Sequence, residues 1–195
     1  LETGSANQNG AVYRATNVFT DAGSGNQVDA LVTIIDKSTG VTRFTLDYEG
    51  NDSSASEVKR FQPRFGSSTS SGSSVEFKIS FVASGTSNAV ALQNFYATGI
   101  DVDGNSTFEE YAVLDGISSY EVEPGGVNAV LSGSSVEFTG TSNTNGLTYG
   151  SDLAFKAIYD IPKTDFNVTM GINGKQDIRY FSVSMGASEV TFTDQ

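Results

Sequence analysis

The chain contains no cysteine, no histidine and no tryptophan, and only three prolines among its 195 residues. Without cysteine or histidine there can be no Ser-His-Asp triad, thiol nucleophile, thiolate zinc site or disulfide. A metal held here must be a hard cation bound by oxygens, which points first to calcium. The missing thiols do not report a reducing compartment, because a secreted protein can simply avoid them. No run of apolar residues approaches the length that spans a bilayer, and no signal-peptide pattern opens the chain. The expectation is a segment of a longer protein.

Charge is scarce and lopsided: 23 acidic residues stand against 11 basic ones, a net charge of −12. Such a surface repels phosphate backbones and anionic lipids, so neither nucleic acid nor direct membrane contact is expected. Apolar residues make up only 37% of the chain, but 13 Phe and 8 Tyr are large enough to fill a core.

The apolar residues alternate. Val75, Phe77, Ile79 and Phe81 share one face, opposite Glu76, Lys78 and Ser80. Phe166, Val168, Met170 and Ile172 repeat the pattern, as do Phe155, Ala157 and Tyr159. Residues 28–36 and 41–49, parted by Lys-Ser-Thr-Gly, read as a hairpin. Further strands are expected near 11–20, 58–65, 89–103, 107–114, 118–123, 135–140 and 178–185. No segment carries a capped helical stripe. The fold expected is all-β, an antiparallel β-sandwich with long loops. Residues 1–195 read as one domain, with 1–10 and 190–195 as linker ends. The Ser/Gly-rich run 66–74 reads as a long surface loop within it. Ser-Gly-Ser-Ser-Val-Glu-Phe occurs at 71–77 and again at 132–138, as two strands that start alike rather than as a duplication.

The densest polar constellation spans 100–111. On an extended segment Asp101 and Asp103 point to one side, and Gly104-Asn105 turns the chain so that Glu109 or Glu110 returns toward them. Carboxylates gathered this way repel unless a cation sits among them, and calcium accepts six to eight oxygens in flexible geometry. The spacing is not that of an EF-hand. The alternative is an Asp-Gly-Asn turn whose acids face water. Asp29 interrupts an apolar strand and can ligate a metal, pair with Arg14 or cap the strand end in water. Glu121 and Glu123 share a strand face at a spacing near that of glycosidase carboxylates, but nothing beside them suggests a cleft. They read as solvated, as do Asp47 and Glu49. The Gly-rich stretches at 23–25 and 171–174 lack what a phosphate loop needs.

Several strings, taken in order, resemble one family. Val12-Tyr-Arg-Ala-Thr-Asn-Val18, Val28-Asp-Ala-Leu-Val-Thr-Ile34, Phe61-Gln-Pro63 and Tyr96-Ala-Thr-Gly-Ile-Asp-Val-Asp-Gly-Asn105 are similar to the calcium-dependent peptide-binding domains of large bacterial repeats-in-toxin adhesins. Val136-Glu-Phe-Thr-Gly140 and Arg179-Tyr-Phe-Ser-Val183 continue the match. The resemblance implies a calcium-stabilised β-sandwich, displayed at the bacterial cell surface, that holds the C-terminal carboxylate of peptides from surface proteins. It implies attachment of cells to surfaces or to one another, as in biofilms, and no enzymatic activity. Asp101, Asp103 and Glu110 become the expected calcium ligands, with Asn105 a weaker one, and Asp29, Gln62 and Tyr96 the expected ligand-contacting residues. A monomeric domain within a larger chain is implied. The rival readings are a carbohydrate-binding or spacer module, and a glycosidase built on a carboxylate pair.

Overall fold

Alternating side chains sort the strands into buried and solvated faces, and the strands pair so that the buried faces align. The structure, a computed structural model, describes residues 1–20, 25–47, 60–144 and 150–185. In chain order its strands are β1 (Val12–Thr20), β2 (Gln27–Lys37), β3 (Val41–Thr45), β4 (Arg60–Phe61) and β5 (Arg64–Ser67). There follow β6 (Ser73–Ala83), β7 (Phe95–Ile100), β8 (Glu109–Asp115), β9 (Ser119–Val122) and β10 (Asn128–Ser132). The last five are β11 (Ser135–Thr139), β12 (Phe155–Tyr159), β13 (Asp165–Asn173), β14 (Gln176–Tyr180) and β15 (Ser182–Met185).

Seven strands form one sheet in the order β1-β2-β6-β13-β8-β11-β10, and five form a second, β4-β15-β7-β12-β9. A small third sheet runs β14-β5-β3. Every pairing is antiparallel, and the described residues contain no α-helix. In β6 and β13 the expected apolar faces are buried, with Val168 opposite Phe77 and Phe166 opposite Ile79.

Aromatic rings join the two large sheets. Phe138 of β11 stacks on Phe155 of β12 with centroids 4.1 Å apart and planes within 3°. Phe81 of β6 meets Phe95 of β7 edge-on at 5.3 Å, and Tyr159 of β12 lies 5.1 Å from Phe166 of β13. Each buried Phe ring contributes about 1.5–3 kcal/mol through removal of apolar surface from water.

Four expectations differ from what is found. β3 does not pair with β2 as a hairpin: β1 and β6 occupy both edges of β2, so β3 joins β5 in the third sheet. The expected strand at 58–65 is divided at Gln62-Pro63, and the one at 178–185 at Phe181, whose N–H bonds the Pro63 carbonyl at 2.9 Å. Proline lacks the N–H that would carry a ladder through this point. Run 66–74 is not a long surface loop: Gly66 and Ser67 belong to β5, Ser73 opens β6, and only 68–72 connects them. Ser73 Oγ donates to Ser67 Oγ at 3.1 Å in a buried contact, and Gly66 lies against the Asp177 carbonyl where no side chain fits. Small residues are there for close approach.

Finally, β10 was not expected. Residues 1–10 are folded onto the sheet, with Gly10 N–H bonded to the Ile34 carbonyl at 2.7 Å and Asn7 N–H to the Tyr13 hydroxyl at 2.8 Å. Residues 190–195, Glu49 and most of 23–25 lie outside the described residues.

Truncating a ring that joins the sheets removes contacts on both. Phe138→Ala is expected to cost about 3–5 kcal/mol, read as a lowered urea midpoint at unchanged m-value. A loss under about 1 kcal/mol would contradict this account of the core.

Candidate functional site

The segment that follows β7 holds the acids. Asp101 has φ of +59°, so the period-two alternation that would align it with Asp103 is broken at that residue. Val102 N–H bonds the Leu153 carbonyl at 3.0 Å, which pins the segment to the short 3₁₀ turn Ser151–Leu153. Gly104 then packs against the Gly140 backbone, where a Cβ has no room, and its N–H reaches the Ser142 carbonyl at 2.7 Å. Asn105 closes the turn. Its Oδ1 accepts from the Thr107 N–H at 2.8 Å and the Thr107 hydroxyl at 2.7 Å, so the side chain faces its own loop.

The turn returns Glu110, not Glu109, to the acids. Glu110 N–H bonds the Asp103 carbonyl at 2.7 Å, and Asp103 N–H bonds Glu110 Oε2 at 3.2 Å. Both carboxylates are 2% exposed. Between them lies Arg179, from β14, whose Nη2 donates to Asp103 Oδ2 and whose Nε donates to Glu110 Oε1. The guanidinium also sits 4.7 Å from the Phe108 ring centroid. Thr144 N–H, at 3.0 Å, engages the remaining Asp103 oxygen.

One guanidinium thus serves two buried carboxyl groups, and the three sum to one negative charge only when both carboxyls are ionised. Burial pushes the Glu110 carboxyl up to about 8 from 4.5, against the opposing pull of Arg179. Arg179 itself is held more strongly protonated, the two carboxylates outweighing its own burial.

The oxygen donors are of the type calcium prefers, but among the described residues no three acids lie close enough to share one ion. Arg179 takes the place between Asp103 and Glu110 that such an ion would need. Asp101, Glu110 and Ser182 line a crevice of about 10 Å³, the space of a single water. Gln62 bonds one of the lining residues, its Nε2 donating to Ser182 Oγ at 2.9 Å while its N–H bonds Asp47 at 3.0 Å.

Asp29 and Tyr96 are not part of this cluster. Asp29 is fully buried and pairs with Arg14 at 3.0 Å, also accepting the N–H groups of Asn17 and Gly85. Its burial would raise its pKa, but those donors overcome it and hold the carboxyl down at about 2. The Tyr96 ring lies beneath Lys156, whose Nζ is 5.0 Å from the centroid and 3.1 Å from Glu121. A groove of about 220 Å³, lined by Val32, Phe61, Ile79 and Met185 among others, includes Asp47 but none of the residues expected to bind calcium or ligand.

Arg179 was missed as a site residue. The signal was present in principle, because a loop that gathers carboxylates needs a counter-charge and the chain has only 11 basic residues to supply one.

No protein-family model matches the chain, and no curated protein matches it. Among solved structures, the fold is similar to the N-terminal domain of the Streptococcus gordonii adhesin Sgo0707, with a TM-score of 0.53 and 13% sequence identity. The alignment covers 88% of this chain and 45% of that one, so this chain spans less than half of its neighbour's length. The likeness is one of fold alone.

The Glu110 environment sets a pH dependence. Its folded-state pKa lies above its unfolded value, so the folded state binds the proton more tightly and stability falls as pH rises from about 4.5 to about 8. In chelator, urea midpoints are expected to fall between pH 5 and pH 8.5, and Glu110→Gln is expected to flatten that fall. An equally steep fall in the variant would place the titration elsewhere.

Proposed function

We propose that the domain is a ligand-binding module of a bacterial surface adhesin, that it recognises the C-terminal end of peptides, and that it does so with calcium. The observation that supports this most is the buried Asp103–Arg179–Glu110 cluster at a loop end of the sandwich. A buried ionic group is weak as a stabilising device, because desolvation offsets most of its attraction. Strongly shifted ionisable groups concentrate instead at functional sites. The fold, shared with a domain described as an adhesin's, fits a surface-displayed, non-enzymatic role. No helix of the described residues is long and apolar enough to cross a membrane.

In this reading a calcium ion replaces the Arg179 guanidinium as the counter-charge of Asp103 and Glu110, with Asp101 beside them. Gln62, which bonds Ser182, is assigned the reading of the ligand's backbone. Asp29 and Asn105 hold their own loops and are assigned structural parts.

The decisive experiment is calorimetric titration of short peptides, as free acids and as C-terminal amides, with calcium and with chelator. Binding is expected only for free acids with calcium, with a loss of at least about tenfold on amidation. Arg179→Gln separates the metal from the peptide. If calcium and Arg179 compete, the variant gains calcium affinity and calcium restores its melting temperature. If calcium does not bind here, the variant loses about 3–5 kcal/mol from an unpaired buried charge, with no rescue by calcium. Equal binding of acids and amides would favour the carbohydrate-binding or spacer reading.

A further inference from the structure

Strand β10 ends the seven-stranded sheet, and among the described residues its only strand partner is β11. The register between them is unbroken from the pair Asn128–Thr139 to the pair Ser132–Ser135. The strand reads Asn-Ala-Val-Leu-Ser, with no charged residue, no proline and no bulge. Those are the devices by which natural edge strands avoid pairing with other chains. Val130 is 60% exposed and Leu131 65%.

The surroundings divide by face. Ala129 and Leu131 lie on the side of Phe138 and Val136, their partners across the ladder, which is the core side. There Tyr120 of β9, itself 39% exposed, meets Phe138 edge-on at 5.7 Å. Strand β9 is the edge of the five-stranded sheet, so the two sheets part here with Leu131 and Tyr120 at the rim. Three of the six large exposed hydrophobic residues among those described are Tyr120, Val130 and Leu131. On the other side of β10, Val130 stands opposite the exposed Glu137.

We propose that the outer edge of β10 accepts an extended segment of another protein as an eighth strand of the sheet. The occupant alternates apolar residues, which cover Leu131 and Tyr120, with Lys or Arg, which face Glu137. Backbone pairing supplies the attraction, and the two side-chain rows supply the choice of partner. A second copy of this chain is a poor occupant. Each copy carries −12, and β10 has no basic residue to set against the Glu137 of a second copy. The site uses no residue of the Asp103–Glu110 cluster and is independent of the function proposed above.

The probe is a short fluorescent peptide of alternating Val and Lys, acetylated and amidated so that no terminal carboxylate is present. Anisotropy titration against the intact chain is expected to show saturable binding, with β10 amides gaining protection from hydrogen exchange. A strand offers its partner one edge only. N-methylation at every Val or at every Lys, in two separate peptides, is therefore expected to weaken one of them at least about tenfold and spare the other. Val130→Lys, at an exposed position, is expected to weaken the parent peptide about tenfold with an unchanged melting curve. The proposal is overturned if both methylated peptides bind like the parent, or if Glu in place of Lys binds as well. It is equally overturned if no binding is seen up to about 1 mM, or if β10 amides become protected with rising protein concentration alone.

Discussion

Two sheets without a disulfide between them are held together by what their inner faces bury, and here aromatic rings bridge them directly. Phe138 lies flat on Phe155, Phe81 stands against Phe95, and Tyr159 leans on Phe166, so each contact joins a strand of one sheet to a strand of the other. A chain that is 37% apolar reaches adequate burial because large side chains sit where the sheets face each other. The stacks also fix where the sheets stop meeting. At the edge strands beside Phe138, Tyr120 of β9 and Leu131 of β10 stay exposed.

The ionic cluster depends on that frame without contributing much to it. Asp103 and Glu110 are carried on opposite arms of one turn, and Arg179 comes from a strand of the third sheet. Three elements therefore have to be in place before the charges are paired. Two carboxylates share one guanidinium, and burial raises Glu110, so the arrangement works against folding as the pH rises. Asp29 is the contrast. It too is buried, but three backbone and side-chain donors satisfy it, its pKa is depressed, and its contribution is present above pH 3.8 and lost as the pH falls through about 2. Asp29 is a latch in the fold; ionised Glu110 is a burden on it.

Local pattern was legible in the sequence and long-range pairing was not. Alternation over 75–81, 155–159 and 166–172 reports which face each strand buries, because a strand's side chains alternate whatever its neighbours are. It does not report which strands pair, and so β3 was expected beside β2. Strand β10 was invisible for a related reason: Ala129 alone is partly buried in it, leaving Asn-Ala-Val-Leu-Ser without an alternating signal. The site was legible as far as its turn. Asp103, Gly104, Asn105 and Glu110 are close in sequence, whereas Arg179 arrives from 76 residues beyond Asp103 and nothing local announces it. The positive φ at Asp101 shows the remaining limit, since the argument that Asp101 and Asp103 share a side assumed an extended backbone between them.

The net charge of −12 constrains both proposed contacts before either forms. At physiological salt the field of surface charges reaches about 8 Å, so a partner meets it on approach. A basic strand moving toward β10 is attracted. A peptide C-terminus moving toward the Asp103 loop is repelled by the net charge, and the cluster there, neutral while Glu110 holds its proton and singly negative once it ionises, offers it no net attraction. Arg179 does not change this, because its fork already engages both carboxylates. Recognition of a terminal carboxylate at this end therefore needs an added cation, so calcium binding and carboxylate recognition form one hypothesis rather than two. Salt separates that hypothesis from the edge-strand contact: screening weakens the attraction of a basic strand to β10 and relieves the repulsion of an anionic C-terminus from the loop. The two contacts draw on the same charge with opposite sign.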